Sequence, residues 1–271
     1  MLVSSLVLSL GVYAAGVVRL WRNAGFGRGV RPVEALAFLT GWVALMVALS
    51  PLLDEWSEQW QAAHMVQHEL LMVAAAPLIA VGAPLVGILW ALPLRLRLAV
   101  VGAVQHTPLP GIWRTIAPPA VAFFLYGVTL WIWHIPALYD AALEHEAVHI
   151  VQHLCFFGTA VFFWWGIVHG RQGRLGYGAA VIYLFVTAVH SGVLGALLTV
   201  SPRVWYAPYL AHHPAALTPL EDQQLAGLVM WIPAGLAFAA GALFLFAAWL
   251  RQSDRVTRFQ SLPLVRSTGI R

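Results

Sequence analysis

Polar residues interrupt this chain at intervals, leaving seven long apolar stretches: Leu2–Val18, Val33–Leu53, Met65–Leu89, Ile116–His134, Val148–Val168, Leu175–Val200 and Leu225–Leu250. A hydrocarbon core about 30 Å thick is crossed by a helix of about 20 mostly apolar residues. Each stretch therefore predicts a membrane-spanning helix. Pro32 and Pro118–Pro119 stand at predicted helix starts, where proline is tolerated. Pro77 and Pro233 fall inside apolar runs and predict kinks. Gly82–Pro84 interrupts the third run, so Leu85–Leu94 is expected to lie along the membrane interface. The fold class is all-α: one polytopic domain of seven transmembrane helices over 1–250, followed by a basic tail at 251–271. Residues 1–20 lack the positive start of a cleavable signal peptide and fit a helix inserted amino-end out.

Composition agrees with the pattern. Of 271 residues, 61% are hydrophobic and 10% charged, against about 25% charged in soluble domains. Cys155 is the single cysteine, which excludes an internal disulfide and any Cys-pair metal or redox site. The net charge of +4 comes from arginine, because there is no lysine. Arg19, Arg22, Arg28 and Arg31 follow the first stretch, Arg95, Arg97 and Arg114 the third, and Arg171 and Arg174 the fifth. Arg251, Arg255, Arg258, Arg266 and Arg271 lie in the tail, leaving Arg203 alone on the other side. By the positive-inside rule the amino terminus is expected outside and the carboxyl terminus in the cytoplasm. The arginines are spread over four short segments, so the charge records topology and not nucleic-acid binding.

Threaded through this topology, nine of the 11 histidines fall at or near the outer side: His64, His68, His134, His145, His149, His153, His190, His212 and His213. Only His106 and His169 lie inward. His64 and His68 are four apart at the start of the third helix, and His149 and His153 at the start of the fifth. Residues i and i+4 share a helix face, so each pair offers two imidazoles to one metal. The segments also resemble each other, His64-Met-Val-Gln-His68 against His149-Ile-Val-Gln-His153. Met72 extends the first stripe, and Met230 lies two turns into the seventh helix, on the face of Asp222. Imidazole with thioether suits copper, especially Cu(I). Singly, such methionines are as well explained by packing, and His106, His169, His212 and His213 by anchoring at helix ends. Imidazoles inside a spanning helix are costly and point to function. His134 ends the fourth helix, and His190 lies near the middle of the sixth. Glu69, beside His68, is placed to orient an imidazole or accept a proton. Cys155 lies on another face from His153 and reads as a packed thiol.

His145-Glu146-Ala147-Val148-His149 also matches His-Glu-x-x-His, in which two histidines hold zinc and the glutamate activates water. At the spacing many such peptidases use, Gln152 and Cys155 stand where the following glycine and third histidine would be, and Gly166-Ile-Val-His169 lies well beyond that spacing. Gly-x-Ser-x-Gly and Gly-Lys-Ser/Thr are absent too. Histidines on facing helices, such as His68 and His153, would equally serve as axial haem ligands. A docking protein whose histidines are dispensable is a further reading.

Three ordered blocks carry a family resemblance. The first is His64-Met-Val-Gln-His68-Glu-Leu-Leu-Met72 with Ala76-Pro77-Leu78 and Gly82-Ala83-Pro84. The second is Trp133-His134-Ile-Pro136-Ala-Leu-Tyr139-Asp140, running on to His149 and His153. The third is Leu220-Glu221-Asp222-Gln223-Gln224 through Gly227, Met230, Trp231 and Pro233. Together, over residues 30–250, they resemble the CtaG-type cytochrome c oxidase assembly factors associated with caa3 oxidases. The resemblance implies a multi-pass protein of the bacterial plasma (inner) membrane, embedded in the lipid bilayer. It further implies oxidase subunits as partners and copper handling without enzymatic turnover, while the spread of the arginines gives no reason to expect nucleic acid as a partner. The residues it carries over are His64, His68, Met72, His134, His149, His153, Asp222, Gln223 and Met230.

The expected site is thus His64, His68, His149 and His153 holding one or two copper ions, completed by Met72, Met230 and His134. Asp222, Gln223 and Glu69 are expected to hydrogen-bond the ligand imidazoles, and His190 is an additional candidate. Zinc and haem remain alternative occupants, through the peptidase motif and the axial pair respectively.

Overall fold

Proline, glycine and a few capping side chains divide the apolar runs into fourteen α-helices and one π-helical turn among the described residues. The computed structural model describes residues 2–116, 118–169, 176–211 and 216–260, without the side chains of 2–3, 114–116 and 253–260. His212 and His213 lie outside the described residues, as do Arg171, Arg174, Arg266 and Arg271. No strand occurs among the described residues.

Helix α1 spans Leu2–Ala24, and the turn after it uses positive φ at Gly25, Gly27 and Gly29. Helix α2, Pro32–Ala48, begins where Glu34 accepts the Arg31 backbone N–H at 2.7 Å and its guanidinium at 2.9 Å. Ser50 then caps α3, Pro51–Gln59, accepting the Leu53 N–H at 3.3 Å. This cap bends the second run by 49° within the expected span Val33–Leu53.

The third run starts as α4, Gln61–Glu69, widens into a π turn over Leu70–Ala75, and continues as α5, Ala76–Val81. Pro77 has no N–H, so the carbonyls one turn before it must find other donors. The Ala76 N–H bonds back five residues to the Leu71 carbonyl. The Met72 carbonyl, left over by this shift, takes the Trp164 indole N–H at 3.0 Å. The kink expected at Pro77 therefore takes the form of a π turn, a feature frequent at functional sites. Ala83, at φ 48°, stands in the left-handed region and ends the run.

Helix α6, Pro84–Ala91, packs lengthwise on α1. A Cβ on Gly16 would overlap the Gly87 carbonyl, and Arg19 donates to the Ala91 carbonyl at 3.4 Å. The Leu85–Leu94 segment, expected along the membrane interface, is thus in contact with α1 at Gly87 and Ala91. The small faces of Gly16 and Gly87 allow close backbone approach. Helices α7 (Leu94–Gln105, with no buried residue) and α8 (Leu109–Ile116) are peripheral.

Helix α9 covers Pro119–Trp133, and Pro136 starts α10, Pro136–Glu144, bent 74° away. Helices α11 (Glu146–His169) and α12 (Gly176–Val200) follow, then the short α13 (Pro208–Ala211). Helix α14 runs unbroken over 42 residues, Pro219–Gln260, with Pro233 inside it. Its close partner is α12, where a Cβ on Gly195 would come within 2.8 Å of the Gly227 carbonyl.

Five helices are long and apolar enough to cross a membrane, and the count reaches seven when α2 with α3 and α9 with α10 are each taken as one span. The burial pattern is that of a membrane protein. Leu236, Leu243, Phe185 and Phe244 are exposed, while Gln61, His64, Gln152, Thr187, Asp222 and Gln223 are fully buried. Bilayer lipid tolerates exposed hydrocarbon, whereas polar side chains must turn toward each other.

Candidate metal centre

Helix α4 and its continuation bury one stripe: Gln61, His64, His68, Met72 and Ala75. Helix α11 buries Gln152, His153, Phe156, Ala160 and Phe163. Apart from the neighbours Gln152 and His153, both stripes recur every three or four residues, as one helix face must. In both, the polar members occupy the first turns and the apolar members lie deeper. Where the stripes meet, imidazoles face each other.

Within the pairs, ring centroids are 4.4 Å apart for His64 and His68 and 4.1 Å for His149 and His153. Across the helices His64 lies 5.2 Å from His149 and 6.3 Å from His153, and His68 lies 5.6 Å from His153. His134, at the end of α9, extends the row at 6.1 Å from His68. His64, His149 and His153 can each offer one ring nitrogen such that all three lie within 4.8 Å of one another.

The second ring nitrogens are arranged with equal economy. His134 Nδ1 lies 2.7 Å from the Leu130 carbonyl, so it carries the proton there and leaves Nε2 as an acceptor. His149 Nδ1 faces Asp54 Oδ1 at 3.8 Å. Asp54 also accepts from Gln67 Nε2 at 3.4 Å, and Gln67 reaches the Ala48 carbonyl at 3.1 Å. The Nε2 atoms of His134, His149 and His153, and both nitrogens of His68, are buried without a hydrogen-bond partner. Buried polar atoms are rarely left so. A cation shared among them would satisfy several at once.

Aromatic residues close the end of the cluster. Tyr139 lies 5.0 Å from His64 and stacks on Tyr206 at 3.8 Å. Tyr206 donates its hydroxyl to the His134 carbonyl at 3.1 Å, and Tyr209 to the Ser57 carbonyl at 2.9 Å. Burial pushes the Tyr206 and Tyr209 phenols up, so both stay neutral donors.

Two cavities flank the imidazoles. One, about 300 Å³, opens from the side and is lined by His149, His153, Gln67 and apolar residues, with Asp54 and Glu146 contributing carboxylates. The other, about 10 Å³, lies deeper among His68, Glu69, Met72, His134 and Met230.

Two residues expected to hydrogen-bond ligand imidazoles, Asp222 and Gln223, make bonds to backbone. Asp222 reaches from α14 to the start of α4. Its carboxylate accepts the Gln61 N–H at 2.7 Å and the Ala62 N–H at 3.1 Å, capping α4, whose own Trp60 supplies no side-chain cap. Gln223 accepts the Trp205 N–H at 2.6 Å and donates to the Arg203 carbonyl at 2.9 Å, tying down the loop after α12. Both act on the backbone around the site. His190 stands apart on α12, 6.1 Å from the Phe123 ring and 6.4 Å from Tyr126. His106 is exposed at the end of α7, and His169 stacks on Trp165 at 4.1 Å.

The His-Glu-x-x-His motif also takes another form. His145 is exposed, with extended backbone between α10 and α11, so it does not share a helix face with His149. The groups missing from the sequence-based site are Asp54, Gln61, Gln67, Tyr139 and Gln152. The buried Gln61, Gln67 and Gln152 had one legible signal, a polar residue on the histidine stripe or next to it.

A family model described as cytochrome c oxidase caa3 assembly factor matches residues 11–252. An uncharacterised protein of Mycobacterium leprae is 27% identical over 268 residues, covering 93% of this chain and 39% of its own length. Uncharacterised proteins of Mycobacterium bovis and Mycobacterium tuberculosis are 26% identical, again covering 93% of this chain and 39% of theirs. The chain thus spans about two fifths of the curated relatives it matches. No solved structure matches.

Proposed function

The chain belongs to the cytochrome c oxidase caa3 assembly factor family, and on that premise we propose that it serves oxidase assembly by binding copper as cargo and handing it on. The observation that carries this reading is the group His64, His149 and His153, whose ligand atoms converge to within 4.8 Å. Three neutral imidazoles suit Cu(II), Cu(I) or Zn(II). The family's role in oxidase assembly selects copper as the cargo. Asp54 and Glu146 beside the side cavity attract a cation, and His149 receives it from them. The step needs no bond making or breaking in a substrate, so the protein acts as a carrier and not as an enzyme. It works from the bacterial plasma membrane with its amino terminus outside, its carboxyl terminus in the cytoplasm, and an oxidase subunit as recipient.

The alternatives fit less well. A peptidase needs both motif histidines on one helix, and His145 lies off α11. A haem needs a flat slot between two axial imidazoles, but His64 crowds both His68 and His153.

The test is metal uptake by the purified full chain. Zn(II) and Cu(II) are expected to bind through imidazole nitrogen, and the double variant His64→Ala/His149→Ala to lose affinity by on the order of a hundredfold. Uptake is expected to fall in acid, as protons compete for the rings. Unchanged uptake by a variant that keeps its melting temperature would overturn the reading.

A further inference from the structure

We infer that Met72, Met230, His68 and His134 form a second metal site, separate from the three-histidine group and selective for a soft monovalent cation, Cu(I). The inference rests on the copper-handling reading above only for the identity of the cargo.

The four side chains line one small cavity between the π turn, α9 and α14. All are buried, with Met72, Met230 and His134 each 3% exposed and His68 4%. Three facts distinguish this pocket from ordinary core. First, both ring nitrogens of His68 and Nε2 of His134 are buried with no hydrogen-bond partner, as is Oε2 of Glu69 in the cavity wall. Second, the His134 ring is locked by its Nδ1 contact with the Leu130 carbonyl at 2.7 Å, so its unpartnered nitrogen is the one with ligand capacity. Third, the backbone carrying Met72 is a π turn, a form frequent at functional sites, with the Met72 carbonyl taken up by the Trp164 indole N–H at 3.0 Å.

Donor chemistry then decides the occupant. Two thioethers with two imidazoles are a soft set that prefers Cu(I), while the three-imidazole group accepts divalent ions. The cavity measures about 10 Å³, space for about one water. A divalent ion such as Mg²⁺, which sheds water reluctantly, would not fit with its hydration shell. His68 stands between the two sites, 4.4 Å from His64 and 6.1 Å from His134. A cation can therefore pass from the outer group to the inner one by exchanging one ligand at a time.

The test is X-ray absorption on the full-length protein loaded anaerobically with Cu(I), alongside Zn(II) titration of the same preparation. The Cu(I) spectrum is expected to show sulfur scatterers that vanish in Met72→Leu/Met230→Leu. These swaps conserve volume and leave the fold intact. Zn(II) affinity of that variant is expected to stay unchanged, while its Cu(I) affinity drops on the order of tenfold or more. Nitrogen-only scattering from Cu(I)-loaded wild type overturns the second site, whatever Zn(II) does. Absence of Zn(II) binding, with sulfur scattering retained, removes the three-histidine reading and leaves the thioether site standing.

Discussion

Asp222 caps the helix that carries half of the cluster. A helix leaves its first N–H groups without intrahelical partners, and a carboxylate there both accepts their hydrogen bonds and meets the positive end of the helix dipole. Asp222 supplies this to α4 from α14, across 161 positions of sequence, and one turn beyond the capped Gln61 stands His64. Replacing it by alanine is expected to cost about 1–2 kcal/mol of stability. It should also let the first turn of α4 shift, weakening Zn(II) binding although no ligand is removed. Asp222→Asn keeps an acceptor oxygen and should lie between. Thermal melting and Zn(II) titration of both variants check this. Equal Zn(II) affinity in all three proteins would show that the cap stabilises without positioning. At this scale the sequence is legible in part. The i, i+4 spacing alone pairs His64 with His68 and His149 with His153, because helix geometry is local. The roles of Asp222, Gln223, Asp54 and Tyr139 depend on which distant group each meets, and no local pattern encodes that.

At the scale of elements, hydropathy marks the apolar runs, while small residues set how closely the helices approach. Two breaks illustrate what hydropathy hides. Ser50-Pro51 carries a helix-start signal inside an apolar stretch, and the capping bond to Leu53 bends the run by 49°. Ala83 adopts a left-handed conformation between Gly82 and Pro84, with the Tyr13 hydroxyl bonded to the Gly82 carbonyl at 2.7 Å. Neither event changes the count of apolar residues, so hydropathy alone shows neither, and the second break is legible only from the residue types at Gly82–Pro84. The α12–α14 seam gives the sharpest prediction. A Cβ on Gly227 would collide with the Gly195 carbonyl and the Thr199 side chain. Backbone cannot yield as a flexible side chain does, so Gly227→Leu must push α12 from α14. The expected outcome is a lowered melting temperature, together with a weakened hold of Gln223 on the Leu198 and Arg203 carbonyls, now at 3.4 and 2.9 Å. Hydrogen exchange at Trp205, whose N–H bonds Gln223, should rise in parallel. A Gly227→Leu protein that melts like wild type would refute the close-packed seam.

For the whole molecule, the question is which side of the membrane the cluster addresses. The start of α4, the end of α9, the start of α11 and the start of α14 share one end of the bundle, held together by Asp222, Tyr206 and Tyr209. The turn after α1, with Arg22, Arg28 and Arg31, belongs to the opposite end. Moving arginine across a bilayer during insertion is costly, so arginine-rich turns stay in the cytoplasm. In the proposed orientation the histidines face outward, toward the oxidase subunit proposed as recipient. This orientation predicts the labelling of single cysteines in a Cys155→Ala background. Glu58→Cys, exposed on α3 near the cluster, should react with a membrane-impermeant maleimide in intact cells. Arg28→Cys, exposed in the turn after α1, should react only after permeabilisation. The reverse pattern would turn the histidine cluster toward the cytoplasm and would make the protein a receiver of metal from inside the cell.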